Sequence, residues 1–262
     1  MRFKYALIVY TKPINKEQKL TLERVEGILR KYNINYKLAN RDKLSKVQFK
    51  NKNLVIAVGG DGTFLRAAHF IKSQQLIGVN SDTKSKEGFF MKSNKNNFEA
   101  NLKKVVNKNA KIRKLLRLEA CINNKKVEAL ALNEFFIGAR KSYHAAKYVV
   151  QIGNKRERQK SSGILVTTPS GSYAWAKSCC NKVLSLNSKN YQFVVREPYE
   201  GKIFRNYRLK YGILKPNQEI SIISEMLDGI LIADSVSREY NFKNGNKAVI
   251  KLSNSCLNAI WE

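Results

Sequence analysis

At 262 residues, 43% of them hydrophobic and 10% aromatic, the chain is long and apolar enough to bury the cores of two domains, which excludes a disordered protein. Lys and Arg number 49 against 20 acids, a formal charge of +29 that favours polyanionic partners such as ATP, dinucleotides or nucleic acid. No run of about 18 uncharged apolar residues occurs, so no membrane-spanning helix is expected.

Cysteines and histidines are sparse. Cys121, Cys179, Cys180 and Cys256 show no Cys-x-x-Cys spacing and only two histidines, His69 and His144, accompany them, so neither a zinc site nor a disulfide framework is expected. Much of the positive charge lies in Lys/Asn-rich stretches such as 92–114, where compositional bias explains it as well as function does. No RNA- or DNA-reading motif with interleaved aromatics is present, so nucleic-acid binding is expected to be non-specific at most. Residues 1–10 lack the long apolar core and cleavage site of a signal peptide and read as a first buried strand; the expected location is the cytoplasm.

In chain order, 6–10 is a short apolar run expected of a strand buried on both faces. Over 17–32, Leu20, Val25, Ile28, Leu29 and Tyr32 fall at helical spacing. Strands are expected at 36–39 and 54–58, then a glycine-rich turn, a helix over 63–72 and a strand over 76–79. This alternation predicts an α/β, Rossmann-like domain with a parallel sheet over residues 1–110. Beyond it, 116–122, 127–137, 148–152, 164–167, 193–195, 219–223, 230–233 and 248–252 are short and rich in strand formers. Turn signals at Asn123-Asn124 and Asn244-Gly245 separate some of them. They predict a mostly antiparallel β domain over 111–262 with one helix over 173–184, its last residues packing back on the first domain.

The chemistry concentrates at Gly59-Gly60-Asp61-Gly62-Thr63, between a buried strand and a helix. In open α/β sheets ligands collect where strands end and helices begin. Glycines let backbone amides approach a phosphate, and Thr63 is placed to cap the helix, whose free amides suit an anion. An aspartate here repels phosphate, so it makes sense as a Mg²⁺ ligand or as the base for a hydroxyl nucleophile. The competing explanation is an Asp-Gly turn that merely reverses the chain.

These residues resemble the kinase superfamily that contains NAD kinases, diacylglycerol and sphingosine kinases and, more distantly, phosphofructokinases. The continuation Phe64-Leu65-Arg66-Ala67-Ala68 lacks the Asn-Gly of the lipid kinases. Four further segments are similar to NAD kinases: Gly78-Val79-Asn80, Leu132-Asn133-Glu134, Thr167-Thr168-Pro169-Ser170-Gly171-Ser172 and Asp228-Gly229. Three departures stand out, because Ser162-Gly163 replaces an Asp-Gly, and Tyr173 and Trp175 replace a Thr and a Tyr. Together with Gln159-Lys160-Ser161 and Val195-Arg196-Glu197-Pro198, these changes resemble the mitochondrial NAD kinase and plant NADH kinase branch, without carrying over a mitochondrial address.

The resemblance implies ATP with Mg²⁺ as donor, NAD or NADH as acceptor and a homo-oligomer. It makes Asp61 the general base that orients and deprotonates the adenosine ribose 2′-hydroxyl during in-line transfer. It assigns ligand binding to Gly59, Gly60, Gly62, Thr63, Asn80, Asn133, Glu134, Lys160, Ser162, Thr168, Ser170, Tyr173, Ala174, Trp175, Ser178 and Asp228. The residues by themselves leave alternatives open. Asn133 and Glu134 also read as the ordinary end of an apolar strand over 129–132, Trp175 as core, Lys160 as solvated and Asp228 as a hairpin turn. Thr168, Ser170 and Ser172 suit helix capping as well as ligand binding. In the family pattern the aspartate replaced by Ser162 lies near the nicotinamide end, so serine predicts weaker discrimination between NAD and uncharged-ring NADH. The rival functions are a lipid or other alcohol kinase sharing the glycine loop, and a non-catalytic nucleic-acid-binding protein.

Overall fold

The short apolar runs of the first hundred residues become the inner strands of a parallel sheet. The computed structural model describes residues 5–180 and 182–262. Its first unit comprises the chain up to Lys114 together with Leu257–Glu262. Strands β1 (Tyr5–Tyr10), β2 (Asn35–Asn40), β3 (Leu54–Gly59) and β4 (Gln75–Asn80) pair in parallel in the order β2-β1-β3-β4. Leu257–Ile260 continues the sheet in parallel beside β4, and Ile112–Leu115 follows it. Every residue of β3 is buried, as its continuous Leu-Val-Ile-Ala-Val run requires.

Helix α1 (Lys16–Lys31) starts at Asn15, whose side chain accepts from the Gln18 amide at 2.9 Å. It buries Val25, Ile28 and Leu29, contributing about 1.5–3 kcal/mol for each side chain removed from water. Helix α2 (Asp61–Ala68) leaves the carboxyl end of β3 directly, and α3 (Phe98–Val106) packs Phe98, Leu102 and Val105 into the same core.

The second unit, Leu115–Cys256, holds two six-stranded antiparallel sheets. One runs Lys155–Ser161, Ala146–Ile152, Ile220–Ser224, Lys247–Leu252, Leu118–Ile122, Lys125–Lys126. The other runs Tyr211–Leu214, Tyr191–Val195, Ile164–Thr167, Glu134–Ala139, Gly229–Ala233, Tyr240–Asn241. Alternate residues of both sheets build one core, with Tyr148, Val150 and Ile222 from the first and Phe135, Ile137, Val166 and Phe193 from the second. The opposite face of the second sheet offers Phe136, Leu165 and Val194 to helix α4 (Trp175–Cys180).

Several boundaries differ from the sequence expectation for identifiable reasons. Helix α2 begins at Asp61 with Gly60 as its N-cap, so Thr63 lies inside the first turn and is not the cap. It stops at Ala68 and not at 72, because Gln74 Oε1 accepts from the amides of Lys72 and Ser73 and closes a turn. The helix expected over 173–184 is α4 alone; Asn181 lies outside the described residues, and from Lys182 the chain is non-helical, with the Leu184 amide donating to Ser172 Oγ. The expected strand over 127–137 begins only at Glu134, and that over 116–122 begins only at Leu118; a separate strand of the other unit's sheet, Ile112–Leu115, ends just before Leu116-Arg117. Lys155–Ser161 escaped detection because its Lys-Arg-Glu-Arg sequence has no apolar alternation; it is a sheet edge paired on one side only. Among the described residues no helix is long and apolar enough to cross a membrane.

Gly78, in the middle of β4, permits a close approach of the following loop. A Cβ there would stand 2.6 Å from the Phe90 carbonyl oxygen and 3.0 Å from Met91 Cα, both backbone atoms. Gly78→Ala is therefore expected to lower unfolding free energy by about 1–3 kcal/mol in urea titration. A stability equal to the parent's would show that the loop yields without cost.

Candidate active site

The glycine loop is the hinge between β3 and α2. Gly60 is extended at φ −128°, which turns the Asp61 side chain out at the start of the helix. The half-buried Asp61 carboxylate is held by the loop that follows β4. Phe89 N–H donates to its Oδ2 at 3.0 Å and Phe90 N–H to its Oδ1 at 2.8 Å. Each oxygen keeps accepting capacity after one such bond, so the group is fixed in direction yet able to take a further proton donor. Thr63 is fully buried, and its Oγ1 accepts from Arg41 Nη1 at 3.3 Å.

Asn80, expected to bind ligand, spends both ends of its amide on the same loop. Its Oδ1 accepts from the Asp82 amide and its Nδ2 donates to the Lys86 carbonyl, each at 3.0 Å. It shapes the segment that delivers the Phe89 and Phe90 amides. The ring of Phe90 stacks on Phe64 of α2 at 4.9 Å, locking that segment to the helix.

A second group lies in the second unit. Asn133 and Glu134 are buried, and Glu134 begins a strand that Asn133 immediately precedes; the expectation that the pair ends one is corrected. The reason is Asp234, whose buried carboxylate accepts from the amides of Leu132, Asn133 and Glu134 at 2.9, 2.7 and 3.1 Å. Those amides would otherwise extend the ladder backwards. Thr168 Oγ1 and Ser170 Oγ both donate to the Leu132 carbonyl, at 2.6 and 2.9 Å, and the Thr168 amide donates to the Asn133 carbonyl. The Thr-Pro-Ser-Gly-Ser turn is thus tied to the Asn-Glu pair, and these hydroxyls are occupied internally. Asn133 Oδ1 and Glu134 Oε2 have no hydrogen-bond partner although both atoms are buried. Burial, reinforced by the charge of Asp234, pushes the Glu134 carboxyl up to about 8.

Asp234 was not legible from the sequence. The residue singled out was Asp228, which the structure places exposed in an ion pair with Arg140 at 3.0 Å. Gly229 pairs with Ala139 and Ala233 with Phe135, so Asp228 and Asp234 lie at opposite ends of one strand, roughly 20 Å apart. The sequence signal for Asp234 is an acid immediately after the apolar run of Gly229–Ala233; the structure adds that its backbone is left-handed, φ 54°.

The remaining candidates spread around α4 and the strand before it. The Ser162 amide donates to the Arg196 carbonyl, and Gly163 follows at φ +117°, where a Cβ would stand 2.6 Å from the Ile137 carbonyl oxygen. The Arg196 guanidinium lies 4.4 Å from the Trp175 ring centroid, and Trp175 packs on Phe136 at 5.1 Å within the cluster that includes Leu165 and Ala176. Lys160 Nζ sits 4.1 Å from the Tyr199 ring centroid. Ala174 is half-buried, while Tyr173 and Ser178 are exposed.

Comparison with known proteins gives these placements a frame. The family model described as the ATP-NAD kinase N-terminal domain matches residues 7–110. An NAD kinase from Aquifex aeolicus is 28% identical over 243 residues, covering 89% of this chain and 85% of its own. An NADH kinase from Arabidopsis thaliana is 26% identical over 266 residues, covering 93% and 83%. Two solved structures share the fold. An NAD kinase from Archaeoglobus fulgidus in complex with ATP has a TM-score of 0.79 at 22% identity, covering 98% of this chain and 93% of its own. Yeast NADH kinase complexed with NADH has a TM-score of 0.83 at 16% identity, covering 100% and 84%.

Glu134 makes the stability of this unit depend on pH with a definite sign. Below its ordinary value of 4.5 both folded and unfolded chains carry the proton, and no penalty exists. Between 4.5 and about 8 the unfolded chain ionises while the folded one stays protonated, so stability falls as pH rises. Glu134→Gln removes that loss. Its unfolding free energy should exceed the parent's by a margin growing from pH 5 and reaching about 2–4 kcal/mol above pH 8. A margin independent of pH in urea titrations would contradict the protonated state.

Proposed function

Because the chain belongs to the NAD kinase family, we propose that it transfers the terminal phosphate of ATP to the 2′-hydroxyl of the adenosine ribose of NAD or NADH. The observation that carries this reading is the Asp61 carboxylate, fixed by two backbone amides where β3 gives way to α2 and still able to accept a hydroxyl proton. In the transfer, the ribose 2′-oxygen forms its bond to the terminal phosphorus as the bridging bond of ATP breaks and ADP leaves. The hydroxyl proton passes to Asp61 as that bond forms. A carboxylate is a weak base for an alcohol, so most of the acceleration comes from positioning. Magnesium enters as part of the substrate, Mg-ATP, and spreads the phosphate charge.

The unpaired Asn133 Oδ1 and Glu134 Oε2 supply the second requirement, a place where a polar ligand is favoured because it satisfies buried groups. With its carboxyl pushed up to about 8, Glu134 is mostly protonated at neutral pH and can donate to a ribose or amide oxygen, while Asn133 Oδ1 accepts. Family membership also favours a homo-oligomer, which sedimentation of the purified chain would test.

Asp61→Asn should reduce turnover at least about a hundredfold while leaving the NAD dissociation constant within about threefold. The substitution turns one amide hydrogen towards a backbone N–H of Phe89 or Phe90, so a melting curve accompanies the kinetics. A stable variant with near-parental turnover would remove Asp61 from the chemistry.

Acceptor preference rests on Ser162. A carboxylate about 5 Å from a charged nicotinamide ring would favour NAD by at most roughly 3 kcal/mol at an effective dielectric near 20, and serine lacks that charge. Activity on NADH is therefore expected. Ser162→Asp should shift the ratio of kcat/KM for NAD over NADH upward by about tenfold, solvent screening having reduced the upper bound. Strong rejection of NADH by the parent, or an unmoved ratio in the variant, would refute this role for the position.

A further inference from the structure

Two cations converge on the glycine loop from the two flanks of β3. Arg41 follows β2, in a short turn whose start is capped by the Asn40 side chain, and β2 lies on the β1 side of β3. Lys86 belongs to the loop after β4, on the other side. Arg41 Nη1 donates to Thr63 Oγ1 at 3.3 Å and passes over Gly62, where an added Cβ would stand 3.8 Å from it. The Lys86 stem lies over Gly60, where an added Cβ would stand 3.2 Å from Lys86 Cδ. Its Nζ donates to Ser81 Oγ at 2.7 Å.

Each cation has one acid near it, Asp42 beside Arg41 and Asp82 beside Lys86. Arg41 forms an ion pair with Asp42 at 3.6 Å, too long for a hydrogen bond, and its buried Nε has no hydrogen-bond partner. Lys86 contacts a hydroxyl, and burial together with the nearby Arg41 charge holds its ammonium below the ordinary lysine range, against the pull of Asp82. Two like charges are brought within electrostatic reach of each other around a loop of small residues. Such an arrangement opposes folding when the loop is empty and favours an anion that lies between them. A chain of phosphates meets this geometry better than a single carboxylate, because it offers separate oxygens to each cation.

We propose that Arg41 and Lys86 form a cation pair that binds the phosphate chain of the donor nucleotide along the glycine loop, an inference that rests on the kinase reading above. Arg41, fixed through Thr63, presents its remaining N–H groups in a planar fork, and Lys86 acts as a point charge beside Gly60. The loop amides and the start of α2 supply further donors. The same polyphosphate chemistry occurs in the pyrophosphate of the dinucleotide, so the test separates the two sources.

The test measures binding apart from turnover. Calorimetric dissociation constants are determined for Mg-ATP without dinucleotide, and for NAD without ATP, on the parent, Arg41→Gln, Lys86→Gln, Arg41→Lys and Lys86→Arg. Each Gln variant should weaken Mg-ATP about tenfold and leave NAD within about twofold, while the charge-preserving variants recover part of the loss. Melting curves accompany each protein, and Arg41→Met, which also removes the charge, serves in place of Arg41→Gln should the latter unfold. Unchanged Mg-ATP affinity in both Gln variants overturns the inference, and weakened NAD affinity with Mg-ATP unmoved assigns the pair to the dinucleotide instead. Mg-ATP affinity that responds as expected in a protein forming no NADP overturns the kinase reading and leaves this one standing.

Discussion

The bonds from the Phe89 and Phe90 amides to the Asp61 carboxylate are the constraint on which the first unit is organised. An acid at the start of a helix is favoured by the free amides and the dipole there. An acid directed at phosphate is not, and it keeps one orientation only if something else holds it. Here the holder is backbone, which cannot rotate away as a side chain can. Much of the loop after β4 follows from that need. Asn80 closes it on itself, Gly78 lets it approach β4, and Phe90 stacks on Phe64 of the helix that Asp61 begins.

The second unit repeats the device with the opposite emphasis. Asp234 is buried and takes three backbone amides, so a carboxylate again organises main chain. Its charge is spent on structure, and it adds to the burial that keeps a proton on Glu134 beside it. One acid is made rigid but left able to accept; the other is consumed so that its neighbours keep unsatisfied polar atoms. Buried unsatisfied groups cost about 1–3 kcal/mol each, which a ligand that pairs them recovers as binding.

What could be read from the sequence followed the strength of the local signal. Leu54–Gly59 was legible because a strand buried on both faces needs an unbroken apolar run, and Gly59-Gly60-Asp61-Gly62-Thr63 because that composition is rare at a strand–helix junction. The positions of Asn133, Glu134 and Thr168 were legible by resemblance, but the direction of the strand they adjoin was not. That direction is set by Asp234, a hundred residues further on, whose effect has no local periodicity. Lys155–Ser161 was invisible for the converse reason: an edge strand is stabilised by its ladder partner, and its charged side chains carry no alternation. Asp228 was singled out because its dipeptide fits the family pattern, whereas the buried acid lies at the other end of the same strand.

The account stands or falls on the identity of the product. Purified chain incubated with Mg-ATP and NAD or NADH should form ADP and NADP(H) in equal amounts, measured with an NADP-specific dehydrogenase. Phosphorus NMR should then show one phosphate monoester, on the adenosine ribose 2′-oxygen. ATP left unconsumed at high enzyme concentration, or a phosphate found on any other hydroxyl, would contradict it.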